Sequence, residues 1–573
     1  MRVKGLAASA GAAVGSAHVY RPFVPEITQE IIAEENRGTS EKALLKAKEN
    51  ACAELKTLAD RLTAAGSEES AIFEAHLELA DDEDLWQEIL DEAAEGVNPA
   101  AAVDDVFGQY IALMSANSDA RMRERAADLK DVRSRVLRNL AGIPEQNLSR
   151  LPGPVIVVAH DLFPADTATM DRDNVLAIVT EVGGLTSHSA ILARSYGIPA
   201  VLGVADAMAC LKDGMCVAVD GESGEVIVQP DEAEQNEFRS RSRRYREKKQ
   251  RNAVWQGKAG HTKDGAAIQF GVNIGEVSAD SLRSIENADL VGLFRTEFLY
   301  MQSGDRLPTE EEQFEAYKKL LVCAGEKPVV LRTLDIGGDK ELACMDLPKE
   351  ENPFLGKRAL RLCMARKDLF RCQLRAALRA SVFGTLWIMF PMVSTMEDWR
   401  NARAFADEVI DALRQEGTPV AETVKFGIMI EVPAIALMSR EAAKEVDFAS
   451  IGTNDLCQYT LAVDRGNPDL AAYYQMYSPA VFRLIAMVAE AFRTEGKPLC
   501  VCGEMGGDEA AAMVLAGLGI GKLSMRAGAI SDIKAVLAEK TTEELKQIAA
   551  QAMRCATAAE TEAYLKSIWM QES

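Results

Sequence analysis

The sequence predicts a multidomain α/β protein whose C-terminal part closes into a (β/α)8 barrel. Three observations carry that prediction. The chain has 573 residues, too many for one hydrophobic core and enough for roughly three to four domains. Residues 21–145 turn to Ala-, Leu- and Glu-rich sequence with apolar positions at helical spacing. Beyond residue 261, eight short apolar runs recur, each separated by helix-like sequence, which suits eight strand-then-helix units.

Taken in order, residues 1–20 are rich in Gly, Ala and Val and read as short strands and turns. Residues 21–145 read as an inserted helical bundle. Leu44, Ala47, Ala51, Leu55, Leu58 and Leu62 lie along one long helix. Asp81 to Asp84 offer N-caps for a helix through Leu85 and Ile89, and Asn98-Pro99 opens another carrying Val103, Phe107 and Ile111. Leu140-Ala141-Gly142 supplies a C-terminal stop. From Pro152 strands and helices alternate. Val155 to Ala159 and Val175 to Val179 are buried-strand runs, the second leading through Gly183-Gly184 into a helix over Ser189 to Ser195. A hairpin from Val217 to Val228, turning at Gly221-Glu222-Ser223-Gly224, closes this α/β domain, which comprises 1–20 and 146–230. Residues 231–257 are almost all charged or polar, so 231–261 is expected to be a helical linker and 262–573 the barrel. Its runs begin near Ile268, Val291, Val329, Trp387, Phe426, Phe448, Leu499 and Leu523.

Composition narrows the class. An apolar fraction of 48% and a charged fraction of 26% are those of a soluble globular protein. No run approaches the roughly 20 apolar residues of a membrane span, and Met1-Arg2-Val3-Lys4 leads into no apolar signal core. The eleven cysteines are scattered, with only Cys500 and Cys502 close together. Free thiols in a reducing cytoplasm are expected. A net charge of −23 argues against non-specific nucleic-acid binding.

What ends the barrel runs is informative. The first ends at Asn273, the second at Arg295, the third at Arg332 and the fifth at Glu431. The sixth leads into Asn454-Asp455 and the seventh into Cys502-Gly503-Glu504. Such a barrel gathers all C-terminal strand ends at one mouth. Arginine forks match phosphate and carboxylate oxygens. Glu431 and Asp455 are hard oxygen ligands of the kind Mg²⁺ takes, one or two at a time, beside substrate oxygens. A thiol there can move a proton at carbon. Arg358 and Arg465 are further basic candidates in the following loops. Singly, each residue has an ordinary explanation as a surface ion pair or a core thiol; six on one rim is hard to ascribe to chance.

A second site stands at Gly183-Gly184-Leu185-Thr186-Ser187-His188, between a buried strand and a helix start. Unpaired N–H groups there attract anions, and an imidazole can attack phosphorus through one nitrogen while the other is held. His18, His76, His160 and His261 read as capping or core residues.

Residues Gly183 to Arg194 resemble the phosphohistidine motif of the phosphoenolpyruvate-utilising enzymes, and Asp447 to Leu456 resemble that family's second signature. Order of parts and length resemble its Enzyme I branch, from the sugar phosphotransferase system. The resemblance implies that His188 is the phosphorylated nucleophile, with Thr167 bonding its other nitrogen. Arg295, Arg332, Arg358, Asn454, Asp455 and Arg465 would bind phosphoenolpyruvate, Glu431 and Asp455 would hold Mg²⁺, and Cys502 would protonate the enolate to give pyruvate. It further implies a cytoplasmic homodimer paired through the barrel, passing the phosphoryl group to the phosphocarrier protein HPr docked on the helical insert. Consistent with a basic partner, no Lys or Arg lies between Arg61 and Arg121, a span that holds 15 Asp and Glu.

The sequence departs from the family at Val432 and Lys357, where Thr and a large aromatic are expected. It departs also at Cys457, Gly506 and Arg526, where Thr, Ala and Ser are usual. These leave rate and partner choice open. Two rivals remain: a nucleotide-coupled relative such as pyruvate phosphate dikinase or phosphoenolpyruvate synthase, disfavoured by the absence of a P-loop, and a regulator that binds phosphoenolpyruvate or HPr without turnover, disfavoured because His188 and Cys502 are present.

Overall fold

The computed structural model describes all residues except 22–26, 29–30, 65–69, 116–119, 144–147, 149–150, 163–169, 185–186, 304–305, 338–344, 346–349, 468–469, 471 and 571–573. The chain forms two compact units, Met1–Glu247 and Lys248–Ser573.

In the first unit, eight strands form one sheet in the order Arg2–Lys4, Glu225–Val228, Cys216–Asp220, Ala12–Tyr20, Val155–Ala159, Val175–Thr180, Ala200–Leu202, Leu6–Ser9. The two edge strands are joined by a single residue, Gly5, which brings the two ends of the strand order together at one corner. A side chain at Gly5 would collide with the Leu202 carbonyl at 2.5 Å. The strand Val155–Ala159 is buried along its whole length, with Val155, Val157 and Ala159 in one core and Ile156 and Val158 in another. That is why it reads as an unbroken apolar run.

Among the described residues, five α-helices are inserted after Tyr20: Arg37–Ala64, Ser70–Ala80, Glu83–Glu95, Pro99–Ser115 and Ala120–Leu140. Leu44, Ala47, Ala51 and Leu55 are buried in their shared core with Val103, Phe107 and Ile111, the helical spacing read from sequence. Asp82 caps its helix by accepting from the Leu85 N–H at 3.0 Å, Pro99 opens the next, and Gly142, at φ +67°, follows the last.

The expected charged linker contains a helix, Glu232–Asn252, and the division between units falls inside it. Within the first unit, Phe238 packs on Ala12, Ala218 and Ile227. Within the second, Lys249 and Asn252 bond Asp532 at 2.6 and 2.9 Å.

The second unit is a closed barrel of eight parallel strands: Ala267–Ile274, Leu290–Arg295, Val329–Arg332, Leu386–Phe390, Lys425–Ile430, Phe448–Ile451, Leu499–Val501 and Lys522–Met525. The first pairs with both the second and the eighth, which closes it. Side chains alternate across each strand. Val329 and Leu331 face the helices, with Phe390 and Phe426 in the outer core. Leu293, Val330, Trp387, Met389, Met429, Phe448 and Cys502 fill the interior.

Candidate active site

Strand parity builds the site. Leu293, Val330 and Met429 are interior residues, so the residues two further along, Arg295, Arg332 and Glu431, share that inward parity at the C-terminal end. Arg295 and Arg332 are the last residues of their strands. The apolar floor and the polar rim are therefore successive layers of the same interior.

Arg332 is 6% exposed. Its Nη2 bonds Glu297, and its Nη1 lies 2.9 Å from Asp335. Arg358 is 1% exposed, with Nη2 2.9 Å from the other Asp335 oxygen and Nη1 3.4 Å from Asp455 and 3.1 Å from the Tyr459 hydroxyl. Burial alone would weaken both charges. Glu297 and Asp335 outweigh it at Arg332, as Asp335 and Asp455 do at Arg358, and both are held firmly protonated. Arg295 differs: burial and then the Arg332 charge push its pKa down, and its guanidinium makes no hydrogen bond among the described residues.

Glu431 is fully buried. Its Oε1 accepts from the Met392 N–H at 2.6 Å, while its Oε2 has no hydrogen-bond partner among the described residues. Gly452 makes room for it, because a Cβ there would stand 2.8 Å from that oxygen. Burial first, then Asp455 and Asp335, lift its carboxyl to about 8. Asp455 is 6% exposed, with Arg465 Nη2 3.8 Å from its other oxygen. The Asn454 side-chain oxygen accepts from the Glu504 N–H at 2.9 Å.

Cys502 is 2% exposed, and its thiol donates to the Ile451 carbonyl at 3.6 Å. Burial, then Cys500, drive its pKa well above the usual thiol value, so it is a protonated thiol at neutral pH. Asn273 fixes the adjoining backbone, donating to the Cys502 carbonyl at 2.9 Å while accepting from Ser524 at 2.6 Å. The barrel thus brings Arg295, Arg332, Arg358, Glu431, Asn454, Asp455, Arg465 and Cys502 to one end. Sequence reasoning missed Glu297, Asp335 and Tyr459. The first two lie two and three residues past the strand-ending arginines, a spacing that a search for their counter-ions would have found.

In the first unit, His188 is the first residue of the helix His188–Tyr196, one residue earlier than expected, because Ser187 is the N-cap and accepts from the Ala190 N–H at 3.3 Å. Gly183, at φ +112°, makes the turn into this loop. Thr167 lies outside the described residues.

Three family descriptions match the chain: PEP-utilising enzyme, N-terminal, over residues 4–125; PEP-utilising enzyme, mobile domain, over 151–224; and PEP-utilising enzyme, PEP-binding domain, over 249–542. The last alone covers more than half of the 573 residues. The chain belongs to the PEP-utilising enzyme family. A phosphoenolpyruvate-protein phosphotransferase from Bacillus sp. (strain S) is 43% identical, with 98% of this chain and 97% of that protein covered. One from Staphylococcus aureus is 42% identical, with 97% of each covered. The solution structure of an Enzyme I protein, 40% identical, covers 43% of this chain and 99% of its own, at a TM-score of 0.38.

Against the family pattern, Gly506 has a reason: a Cβ there would stand 2.8 Å from the Ser524 carbonyl. Cys457 is buried and donates to the Gln475 carbonyl at 3.6 Å, a place a hydroxyl also fits. Val432 is half-buried, and Lys357 and Arg526 are exposed. A divalent cation suits this PEP-utilising site, since Glu431 leaves one buried oxygen without a partner and Asp455 stands nearby as a second carboxylate. Among the described residues no group of three or more His, Cys, Asp or Glu surrounds one point, so substrate and water oxygens would complete the shell, as Mg²⁺ prefers.

Proposed function

We propose that this enzyme transfers the phosphoryl group of phosphoenolpyruvate to its own His188 and then to a histidine of HPr, releasing pyruvate, as the first step of sugar uptake by the phosphotransferase system. The observation that carries this reading is the barrel mouth, where the Arg295 guanidinium, without a hydrogen-bond partner among the described residues, stands among Arg332, Cys502 and the buried carboxylates. Mg²⁺, held by Glu431 and Asp455, would neutralise charge on phosphoryl and enolate oxygens.

The arginines bind and orient the substrate's carboxylate and phosphate oxygens. A His188 ring nitrogen attacks phosphorus with its lone pair, and the bond from phosphorus to the enol oxygen breaks, leaving its electrons on an enolate. Cys502 gives its S–H proton to the terminal enolate carbon and the oxygen collapses to the ketone of pyruvate. The raised thiol pKa keeps that proton in place until the enolate exists. A thiolate so buried regains a proton from solvent once product leaves. In the first unit, the N-terminal end of the His188 helix would favour the negative phosphoryl group on the ring.

The acidic insert supports docking of basic HPr, since Leu62 to Ala120 hold 15 Asp and Glu and no Lys or Arg. Exposed Leu437 and Tyr473 supply apolar barrel surface for a homodimer. No helix among the described residues is long and apolar enough to cross a membrane, which is compatible with a cytoplasmic enzyme.

The test is incubation with labelled phosphoenolpyruvate and Mg²⁺, with and without HPr. Acid-labile label should appear on wild type, with pyruvate formed as it does, and be absent from His188→Ala, and HPr should take the label from the wild-type enzyme. Label drawn instead from ATP would replace this reading with the nucleotide-coupled one.

A further inference from the structure

Glu297 and Asp335 are buried carboxylates of the barrel mouth that the mechanism above does not use. Asp335 is the more telling. It is 1% exposed, and its two oxygens are divided between two guanidiniums, Oδ2 to Arg332 Nη1 and Oδ1 to Arg358 Nη2, each at 2.9 Å. Without that shared anion, two buried cations facing one small volume repel each other at low dielectric.

The carboxylate is itself anchored. The Leu334 N–H, immediately before it, donates to Gln373 Oε1 at 2.9 Å. The same Gln373 donates to Thr296 Oγ1 at 3.1 Å, and Thr296 donates to the Arg332 carbonyl at 2.9 Å. Gln373 and Thr296 are buried. One side chain therefore ties the residue after Arg295, the backbone of Arg332 and the backbone beside Asp335 into one network. The Nη groups of Arg332 and Arg358 are taken up by carboxylates, yet both Nε–H groups are buried with no acceptor among the described residues. An Nε–H and an adjacent Nη–H form the edge that grips a phosphate or carboxylate side-on.

We propose that Asp335 is a positioning residue that sets the spacing and orientation of Arg332 and Arg358, so that both present their Nε edges to the transferring phosphoryl group. This rests on the phosphotransfer reading above. Asp335 touches neither substrate nor His188 in this role; it acts through the two arginines.

The experiment measures single-turnover phosphorylation of the full chain across phosphoenolpyruvate concentrations, together with thermal melting. Asp335→Asn keeps the shape and removes the charge. Misplacing reacting groups by about 1 Å lowers rates by about 100-fold, so a fall of that order in the maximal rate is expected, larger than any rise in half-saturating concentration, among molecules that melt cooperatively. Asp335→Glu, which restores charge but displaces the carboxylate, should recover less than a tenth of the lost rate; full recovery would reduce Asp335 to charge balance and overturn the proposal. So would an Asp335→Asn rate within a few-fold of wild type, or a loss confined to half-saturation. Should Asp335→Asn not fold, Gln373→Leu loosens the anchor and leaves the carboxylate, and an unchanged maximal rate there overturns the proposal equally. Wild type that takes no label from phosphoenolpyruvate would defeat the underlying reading itself, an outcome distinct from all of these.

Discussion

At the scale of single residues, Glu431 shows what burial does to a carboxylate that awaits a cation. Its folded pKa of about 8 stands above the usual 4.5, raised first by burial and then by Asp455 and Asp335. A raised carboxyl favours the fold fully at low pH and loses that contribution as pH climbs from about 4.5 to about 8. At pH 7 Glu431 keeps its proton until a cation displaces it. Calorimetry in buffers of different ionisation enthalpy should therefore show about one proton released per Mg²⁺ near pH 7, with affinity rising up to pH 8 and levelling beyond. Glu431→Gln should abolish both the release and most of the binding. An affinity flat from pH 6 to 8 would contradict this account. Residues such as Arg295, Arg332, Glu431 and Cys502 were legible in sequence because each is a polar group ending an apolar run. Asp335 was legible only in part: its place three residues past Arg332 offers a counter-ion, but nothing in a one-dimensional pattern says that Arg358, on another element, shares the same anion.

Among elements, the inserted bundle carries its own charged core. His76, on Ser70–Ala80, lies 2.9 Å from Asp128 and 3.4 Å from Asp131, both on Ala120–Leu140. Burial disfavours the charged ring, but the hydrogen bond to Asp128 and the charges of both aspartates win, lifting its pKa to about 9. The pair stabilises the bundle fully below about 6.5, the ordinary histidine value, and that contribution is lost as pH rises through about 9. The loss is on the order of 2–3 kcal/mol. Hydrogen exchange of these two helices, corrected for intrinsic rate, should lose protection between pH 6.5 and 9, and His76→Leu should remove that dependence. Protection unchanged across the window would show the ring to be neutral. Periodicity and caps made the helices readable from sequence, down to Asp82 and Pro99. The His188 helix start was off by one residue, because either Ser187 or His188 can cap and only the backbone decides.

For the whole molecule, the proposed chemistry needs one imidazole to serve two places, the barrel mouth and the partner protein. The boundary between compact units falls within Glu232–Asn252, a helix whose residues are almost all polar and which contributes Phe238 to one core and few apolar anchors besides. We expect a hinge there acting on a microsecond-to-millisecond or slower scale. A cross-link fixing His188 at the barrel should permit autophosphorylation and abolish transfer to HPr, and transfer at the wild-type rate would contradict the hinge. By itself the sequence determined the architecture, since strand and helix periodicity, turn glycines and apolar runs are local properties. It determined also which polar residues end the barrel strands. Only the tertiary structure decided that Arg332 and Arg358 are locked through Asp335, that Glu431 keeps one buried oxygen without a partner among the described residues, and that burial holds the Cys502 proton more tightly than an ordinary thiol's. Each of those follows from distance and dielectric between residues far apart in the chain, and neither quantity exists until the barrel closes.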